Sequence, residues 1–302
     1  MQTIRVGYSP CPNDTFLFYA LVHGKVDTGG YAFEPVLEDV ETLNRWALEG
    51  RLPMTKVSYG VVDRLADRYW CLRSGGALGR GCGPLVVARS PVPLEALTEG
   101  LIAVPGFHTT ANRLLELRTG GGPLRRVAMV FHEIMPAVAS GRVDAGLVIH
   151  EGRFTYRRYG LTVVEDLGEW WERTTGWPIP LGGILLRRDL AGVDPLAVQR
   201  ALRRSVEYAL AHPEEPMAYV QAHAQEMEPG VVRQHIELYV NRYTVDLGEE
   251  GIRAVETLFD RGKVGGSFPR SKRSLFPPEE QPGVQAAVPS TAARTSLSTS
   301  DG

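Results

Sequence analysis

The sequence predicts an α/β protein of two lobes, with a ligand cleft between them and a helical C-terminal part. Short apolar strands alternate with helices from the first residues onward, and this rhythm implies βαβ units and a largely parallel sheet. The rhythm breaks at Ser90-Pro91-Val92-Pro93 and then starts again. From Pro195 onward the pattern is almost purely helical.

The elements of the first unit follow from apolar periodicity and from glycines at helix ends. Gly24 and Gly50 directly follow two predicted helices, where glycine commonly ends a helix. A glycine-rich loop at 74–84 lacks the Gly-Lys-Ser/Thr ending of a phosphate-binding P-loop. The predicted strands are 3–8, 31–37, 54–57, a segment at Cys71 and 85–88, and the predicted helices are 14–23, about 41–49 and 59–66.

The second unit repeats the same rhythm. A crossover near 88–93 and a return near 181–184 would join two lobes by two strands, as in the periplasmic-binding-protein-like (type II) fold. We expect a larger lobe of residues 1–88 and 184–276, a smaller lobe of residues 89–183, and a disordered tail at 277–302, which is rich in Pro, Ser, Thr and Ala. The predicted strands here are 101–104, 127–131, 145–149, 161–164 and 183–186, and the predicted helices are 94–99, 109–118, 134–139 and about 170–173.

Composition argues against several classes of protein. The 302 residues are 43% hydrophobic and 23% charged, as in an ordinary globular protein. A net charge of −2 does not indicate nucleic acid or a membrane surface as a partner. The three cysteines have no CxxC or other metal-ligand spacing, so we predict neither a metal site nor a disulfide framework. No GxGxxG motif supports a dinucleotide, and we predict no cofactor.

The sequence also carries an expectation about location. The first residues alternate like a strand and do not show the basic and apolar regions of a signal peptide. No apolar run approaches the ~18 residues of a membrane span. We therefore expect a cytoplasmic protein that acts on a small molecule. The sequence leaves open whether the chain forms a homodimer.

Polar residues at strand ends are the first candidates for a site, because ligands of α/β proteins bind beyond the carboxyl ends of parallel strands. One such strand ends at Lys56-Val57-Ser58. Lys56 and Ser58 share a face, since alternate residues of a strand point the same way. The lysine could bind a carboxylate, and the serine a hydroxyl or carbonyl. A helix-capping serine beside a solvent-reaching lysine fits the same pattern.

The segment VPGFHTTAN, 104–112, turns through glycine from a strand directly into a helix. The free N–H groups and the dipole of such a helix start attract anions. Thr109 and Thr110 add hydroxyl donors, and the small Ala111 would let a ligand approach the backbone. A capped helix without a ligand is equally compatible. His108 precedes the cap and is a weaker candidate for a base.

His150 is the main candidate for a catalytic base. The apolar strand 145–149 stops abruptly at His150-Glu151. A histidine with an ordinary pKa near 6.5 accepts a proton at neutral pH. A structural histidine that ends a strand fits this motif as well. Asn13-Asp14-Thr15 either caps a helix or faces the cleft, and packed or solvated roles are predicted for His23, His132, His212, His223 and His235.

Long motifs are distributed along nearly the whole chain, up to about Phe268. They are GYSPCPNDTFLFYALVHGKV (7–26), LEDVETLNRWALEGRLPMTKVSYG (37–60), LRSGGALGRGCGPLVVA (72–88), VPGFHTTANRLL (104–115), GRVDAGLVIHEGRFTY (141–156), RRSVEYALAHPEE (203–215) and YVNRYTVDLGEEG (239–251). Together they resemble the 1,4-dihydroxy-6-naphthoate synthase family, which belongs to menaquinone biosynthesis by the futalosine route.

The resemblance implies a cofactor-free carbon–carbon lyase. Its substrate would be cyclic dehypoxanthine futalosine, and its products 1,4-dihydroxy-6-naphthoate and dihydroxyacetone. The base of the family falls on His150, and its substrate-binding positions fall on Lys56, Val57, Ser58, Thr110 and Ala111. Two alternatives stay open: chorismate dehydratase, a sister enzyme of the same pathway, and a non-catalytic protein that binds small anions.

One departure from the family pattern lies close to the predicted base. Arg153-Phe154 stands where many members carry a Gln-Leu pair. We expect this change to alter local packing rather than the chemistry. An Arg153 side chain that reached the cleft would instead change how a substrate carboxylate is held.

Overall fold

The computed structural model describes residues 1–97, 99–225, 228–262 and 273–278. Within them the strands form two five-stranded sheets. These strands are β1 (Gln2–Tyr8), β2 (Tyr31–Leu37), β3 (Met54–Ser58), β4 (Tyr69–Gly79), β5 (Leu85–Ala88), β6 (Leu101–Val104), β7 (Arg125–Ala128), β8 (Ala145–Val148), β9 (Thr162–Asp166) and β10 (Ile179–Arg187).

Helices cover both sheets and make up most of the described residues after β10. They are α1 (Pro12–Val22), α2 (Val40–Glu49), α3 (Tyr59–Val62), α4 (Thr110–Arg118), α5 (Phe131–Ala139), α6 (Gly152–Thr155), α7 (Leu167–Thr175), α8 (Pro195–Ala211), α9 (Met217–His223), α10 (Pro229–Tyr239), α11 (Arg242–Val245) and α12 (Gly248–Gly262). Among the described residues, no helix combines the length and the apolar composition needed to span a bilayer.

The two sheets have the same mixed topology. The first has the order β2-β1-β3-β10-β4 and the second β7-β6-β8-β5-β9. In the first sheet β1 runs parallel to β2 and β3, and β10 is antiparallel to its neighbours. In the second sheet β6 runs parallel to β7 and β8, and β5 is antiparallel to its neighbours. The prediction of an α/β fold with two lobes is confirmed.

The strand pairing moves both expected lobe boundaries by a few residues. β5 pairs with β8 and β9, so residues 85–88 belong to the smaller lobe and not to the larger one. β10 begins at Ile179 and pairs with β4 from its first residue, so residues 179–183 belong to the larger lobe. The proline-rich break after β5 ends a strand within the smaller lobe, and the chain crosses between lobes at 80–84 instead. Residues 279–302 of the expected tail lie outside the described residues.

The glycine-rich segment predicted as a loop is mostly the strand β4. Glycine is required there because other elements pack directly against its backbone. A Cβ atom on Gly75 would lie 2.7 Å from Ile184 Cγ1 and 2.9 Å from Leu202 Cδ2. Gly75 also has a φ of +82°, which side chains rarely allow. Close packing, and not loop flexibility, therefore explains the glycine at position 75.

The C-terminal helix α8 packs on the protein through the apolar residues of one of its faces. Helix α8 starts at Asp194, whose carboxylate accepts from the N–H of Leu196, and Pro195 occupies its first turn. Its buried residues recur every three or four positions and pack with α1 on the first sheet. They are Val198, Ala201, Leu202, Ser205, Val206 and Ala209.

The two connections between the lobes touch each other backbone to backbone. Gly83 lies between β4 and β5, and Gly168 lies at the start of α7, which leads back toward β10. A Cβ atom on Gly83 would lie 2.3 Å from the Cα of Gly168 and 2.4 Å from its nitrogen. The N–H of Leu167 also donates to the carbonyl of Pro84 at 3.0 Å. The two segments thus form a single junction between the lobes.

We predict that Gly83→Ala lowers the free energy of unfolding by about 1–3 kcal/mol, the usual cost of overpacking. The two atoms nearest to the added methyl group belong to the backbone of Gly168, and backbone yields less easily than a side chain. Urea unfolding followed by circular dichroism measures the change.

Gly122→Ala is the matched control, since its Cβ atom would meet only the carbonyl of Thr119, at 3.8 Å. Equal stability of the two variants would show that the junction tolerates a side chain.

Candidate functional site

A cleft between the two sheets contains every residue for which the sequence predicts a role at the site. Its empty volume, with the open solvent at its mouth included, is about 660 Å³. Strand β3, the starts of α1 and α4, the end of β8 and helix α10 all contribute to its walls. The predicted residues that line it are Lys56, Val57, Ser58, Thr110, Ala111 and His150.

His150 lies where β8 ends and the chain turns toward α6. Its ring is partly exposed to the cleft and stacks against Phe131, with a centroid separation of 5.1 Å. Its φ is +56°, and it is the one non-glycine residue with positive φ in the described part of the chain. Such a backbone costs about 1–3 kcal/mol and persists where the surroundings enforce it. The end of a strand does not by itself require positive φ, so the residues around His150 hold its backbone in this conformation.

Burial lowers the pKa of His150 to about 4. The Asp14 carboxylate opposes this shift, and the Lys56 ammonium adds to it. The imidazole is consequently neutral at physiological pH, with a lone pair on one ring nitrogen. A neutral histidine in a cleft is ready to accept a proton.

The sequence indicates that Lys56 could bind a ligand carboxylate. In the structure its main partner is a carboxylate of the protein, that of Asp14. Its ammonium donates to Asp14 Oδ1 at 2.6 Å and to the carbonyl of Gly75 at 3.3 Å. Both side chains of this ion pair are almost fully buried, with exposed fractions of 6% and 3%. An ammonium has three donors, so one remains for the cleft.

Asp14 is the centre of a polar network at the start of α1. Its Oδ2 accepts from the N–H and the hydroxyl of Ser9, at 3.2 and 2.8 Å. Its Oδ1 accepts from Asn13 Nδ2 at 2.8 Å as well as from Lys56. Of the two interpretations of this helix start, the cleft-facing one is correct for Asn13 and Asp14, since both line the cleft.

His235 is a second cleft histidine, and the prediction of a merely packed or solvated role misses its position. It is fully buried on α10, lines the cleft and stacks on His150 with a centroid separation of 5.9 Å. Its Nε2 lies 2.9 Å from Asn13 Oδ1. The Asn13 amide nitrogen already donates to Asp14, so its oxygen accepts from the protonated Nε2 of His235.

The sequence did contain a signal for the inward position of His235. This residue lies four positions after Val231 and four before Tyr239, so all three share the buried face of α10.

Ser58 keeps a proton available for a ligand. Its hydroxyl oxygen accepts from Asn44 Nδ2 at 3.1 Å, and its backbone N–H donates to Asn44 Oδ1 at 2.8 Å. Neither contact uses the hydroxyl hydrogen. Ser58 is the N-cap residue of α3, as the capping interpretation has it, but its side chain makes no capping hydrogen bond.

Thr110 binds the opposite lobe through its hydroxyl. The oxygen accepts from the N–H of Gly60 at 2.9 Å and donates to the carbonyl of Leu181 at 2.7 Å, and both partners belong to the larger lobe. The cap of α4 is Thr109, whose hydroxyl accepts from the N–H of Asn112. In the described structure the backbone N–H groups of Thr110 and Ala111 keep no protein acceptor.

Other polar groups near the cleft have structural partners. His108 contacts Glu41 through its ring, with Nδ1 at 2.7 Å from Oε1, and so ties α2 to the opposite lobe. Arg153 pairs with Asp166 at 2.6 Å and donates to the carbonyl of Gly83, so it braces the junction between the lobes and does not enter the cleft. Trp171 is fully buried in the core.

Comparisons with known proteins give a consistent result. A family model described as menaquinone biosynthesis matches residues 4–264. The chain is 58% identical to a 1,4-dihydroxy-6-naphthoate synthase of Thermus thermophilus, over 91% of this chain and 100% of that protein. It is 48% identical to the enzyme of the same name from Streptomyces coelicolor, over 89% and 95% of the two chains.

Solved structures extend the comparison to the fold. Protein AF1704 from Archaeoglobus fulgidus superposes with a TM-score of 0.82 at 39% identity, over 87% of this chain and 98% of that one. The alkanesulfonate-binding protein SsuA from Xanthomonas axonopodis pv. citri, bound to MOPS, superposes with a TM-score of 0.64 at 16% identity, over 87% and 94%. The second likeness concerns the fold alone, and it is of the periplasmic-binding-protein type.

We predict that Asp14→Asn destabilises the protein by about 3 kcal/mol or more, because it leaves the buried Lys56 ammonium without a counter-charge. The double variant Asp14→Asn/Lys56→Met removes both charges and should be more stable than the single variant. Urea unfolding of the three proteins measures both differences. A double variant less stable than Asp14→Asn alone would contradict the assignment of Asp14 as the main counter-charge of Lys56.

Proposed function

This chain belongs to the menaquinone biosynthesis family, and on that premise we propose that it is a 1,4-dihydroxy-6-naphthoate synthase. The proposed reaction is the lyase cleavage of cyclic dehypoxanthine futalosine to 1,4-dihydroxy-6-naphthoate, with release of dihydroxyacetone. His150 is the general base of this proposal. The observation that carries it is a neutral imidazole, held in a strained backbone, with its ring open to the cleft.

The chemistry requires a base but no redox group. Abstraction of a proton next to a carbonyl leaves an enolate, and its electrons complete the aromatic ring as the bond to the carbon fragment breaks. The fragment leaves with the electron pair of that bond and accepts a proton, so the reaction needs no oxidant or reductant. A positioned base typically contributes a factor of ~100 to 10,000 in rate. The low pKa of His150, which results mainly from its burial, keeps the base unprotonated at neutral pH.

Donors on the other walls would stabilise the negative charge that develops. The N–H groups of Thr110 and Ala111 at the start of α4 and the hydroxyl hydrogen of Ser58 all lie in the same cleft as His150. Preorganised donors of this kind act on charge that appears in the transition state. The positive end of the α4 dipole also favours a substrate carboxylate. The hydroxyl of Thr110 is assigned to holding the lobes together and not to the substrate.

The small-anion-binding alternative shares the fold and the helix-start donors but has no use for a strained, neutral histidine. Chorismate dehydratase stays a separate candidate, and substrate assays distinguish all three functions. Purified protein is incubated with cyclic dehypoxanthine futalosine and, separately, with chorismate, and products are identified by mass spectrometry. We expect 1,4-dihydroxy-6-naphthoate from the first substrate and no reaction with the second. Tight binding of the first substrate without turnover would support the binding protein instead.

We predict that His150→Asn lowers kcat by ~100- to 10,000-fold while the substrate still binds, because asparagine tolerates positive φ but is not a base. Steady-state kinetics and calorimetric titration of the substrate measure the two quantities. His212→Asn, an exposed histidine at the end of α8, is the control and should keep full activity. Turnover by His150→Asn within a factor of two of wild type would remove His150 as the base.

We predict that kcat/KM falls on the acid side with a midpoint near pH 4, because the pKa of His150 is lowered to about 4 and only the neutral ring accepts a proton. The same lowered pKa means that the unfolded state binds more protons, so stability decreases as pH falls below about 6.5 toward 4. Circular dichroism at each pH therefore has to confirm folded protein. A midpoint near pH 6.5 in folded protein would contradict the proposed state of His150.

A further inference from the structure

A thiol, an imidazole and a carboxylate converge at the edge of the cleft. The ligand atoms of Cys11, His150 and Glu151 all lie within 4.8 Å of one another. Cys11 and Glu151 are nearly buried, with exposed fractions of 4% and 8%. We propose that this cluster binds one zinc ion, and that the bound ion inhibits turnover by occupying the lone pair of His150. The inhibitory half of the proposal rests on the proposed function, and the binding half does not.

An unsatisfied nitrogen of His235 is a second observation that points to a cation-binding role for this place. Because Nε2 of His235 donates to Asn13, its Nδ1 carries the lone pair. This Nδ1 is buried and has no hydrogen-bond partner in the described structure. It lies 3.7 Å from Glu151 Oε2, so a lone pair faces a carboxylate. A cation bound to Glu151 would turn this unfavourable contact into a favourable one, and Nδ1 could become a fourth ligand.

The donor set fits zinc better than the hard cations. Zinc in proteins is bound by cysteine sulfur at about 2.3 Å and by histidine nitrogen or carboxylate oxygen at about 2.0–2.2 Å. Calcium and magnesium take oxygen ligands and have little affinity for a thiolate. The two negative charges of a thiolate and a carboxylate together neutralise the double positive charge of the ion. Binding breaks the S–H bond of Cys11, forms the Zn–S bond and releases one proton to solvent.

The three ligands come from both lobes. Cys11 directly precedes α1 in the larger lobe, whereas His150 and Glu151 follow β8 in the smaller lobe. Neighbouring ligands of a tetrahedral zinc ion are about 3.5 Å apart, so the cluster has to contract by roughly 1 Å. A small closing movement of the lobes supplies such a contraction. The bound ion would then link the lobes as well as occupy the base.

Solvent can reach the cluster without passing through the substrate cleft. A second cavity of about 750 Å³ adjoins the cleft, and both Cys11 and His150 line it. Glu38 and Asp39 also line this cavity and give its wall a negative charge. A divalent cation is therefore attracted toward the cluster from outside.

The binding test uses the full chain, freed of metal by a chelator. Zinc is titrated by isothermal calorimetry into wild type, Cys11→Ser and the control Cys71→Ser, which replaces another buried cysteine outside the cleft. We expect one zinc ion per chain in wild type and in the control, and an affinity about tenfold or more lower in Cys11→Ser. Cobalt substitution should give a thiolate-to-metal absorption band that Cys11→Ser lacks. No binding by wild type, or equal binding by Cys11→Ser, would overturn the site.

The inhibition test measures turnover of cyclic dehypoxanthine futalosine with increasing zinc. We expect wild type and Cys71→Ser to lose activity, a chelator to restore it, and Cys11→Ser to resist the same zinc concentrations. Zinc binding through Cys11 that leaves turnover unchanged would overturn the inhibitory role. If no substrate is turned over even without zinc, the proposed function fails, and the calorimetric result still decides the metal site.

Discussion

The buried ion pair between Lys56 and Asp14 fixes the polar floor of the cleft. Asp14 also receives hydrogen bonds from Ser9 and Asn13, and Asn13 in turn positions His235. A single carboxylate therefore connects the start of α1, strand β3 and helix α10. Because the lysine charge is cancelled within the protein, the cleft presents donors to a ligand without a large net positive charge. Burial is the main cause of the lowered pKa of His150, and the two charges of the pair act on its ring in opposite directions.

The sequence could predict the parts of the site that depend on local chain geometry. The apolar strand before His150, the strand that ends at Ser58 and the glycine turn into α4 are all contiguous patterns, and the ends of their strands and helices meet at one crevice. The lobe boundaries could not be predicted to the residue. Whether residues 85–88 belong to one sheet or the other depends on hydrogen bonds to β8 and β9, which lie far away along the chain.

Sequence patterns could not reveal which polar side chains form pairs between elements that are distant along the chain. Lys56 and Asp14 are 42 positions apart, and His235 and Asn13 are 222 positions apart. No local period relates such residues. The hydroxyl of Thr110 looked like a ligand donor because helix starts attract anions, but Gly60 and Leu181 from the facing lobe satisfy it. A side chain's chemistry indicates what it can bind, and the tertiary structure decides whether the partner is protein or ligand.

The positive φ of His150 limits which residues can replace it over evolutionary time. Among side chains, asparagine and aspartate tolerate such a backbone best, and glycine adopts it freely. A histidine codon becomes an asparagine codon through one base change. Under the proposed function, the resulting protein would keep the start of α4 in its cleft but would lack the general base. One nucleotide would then separate the proposed catalyst from a variant that mainly binds its ligand.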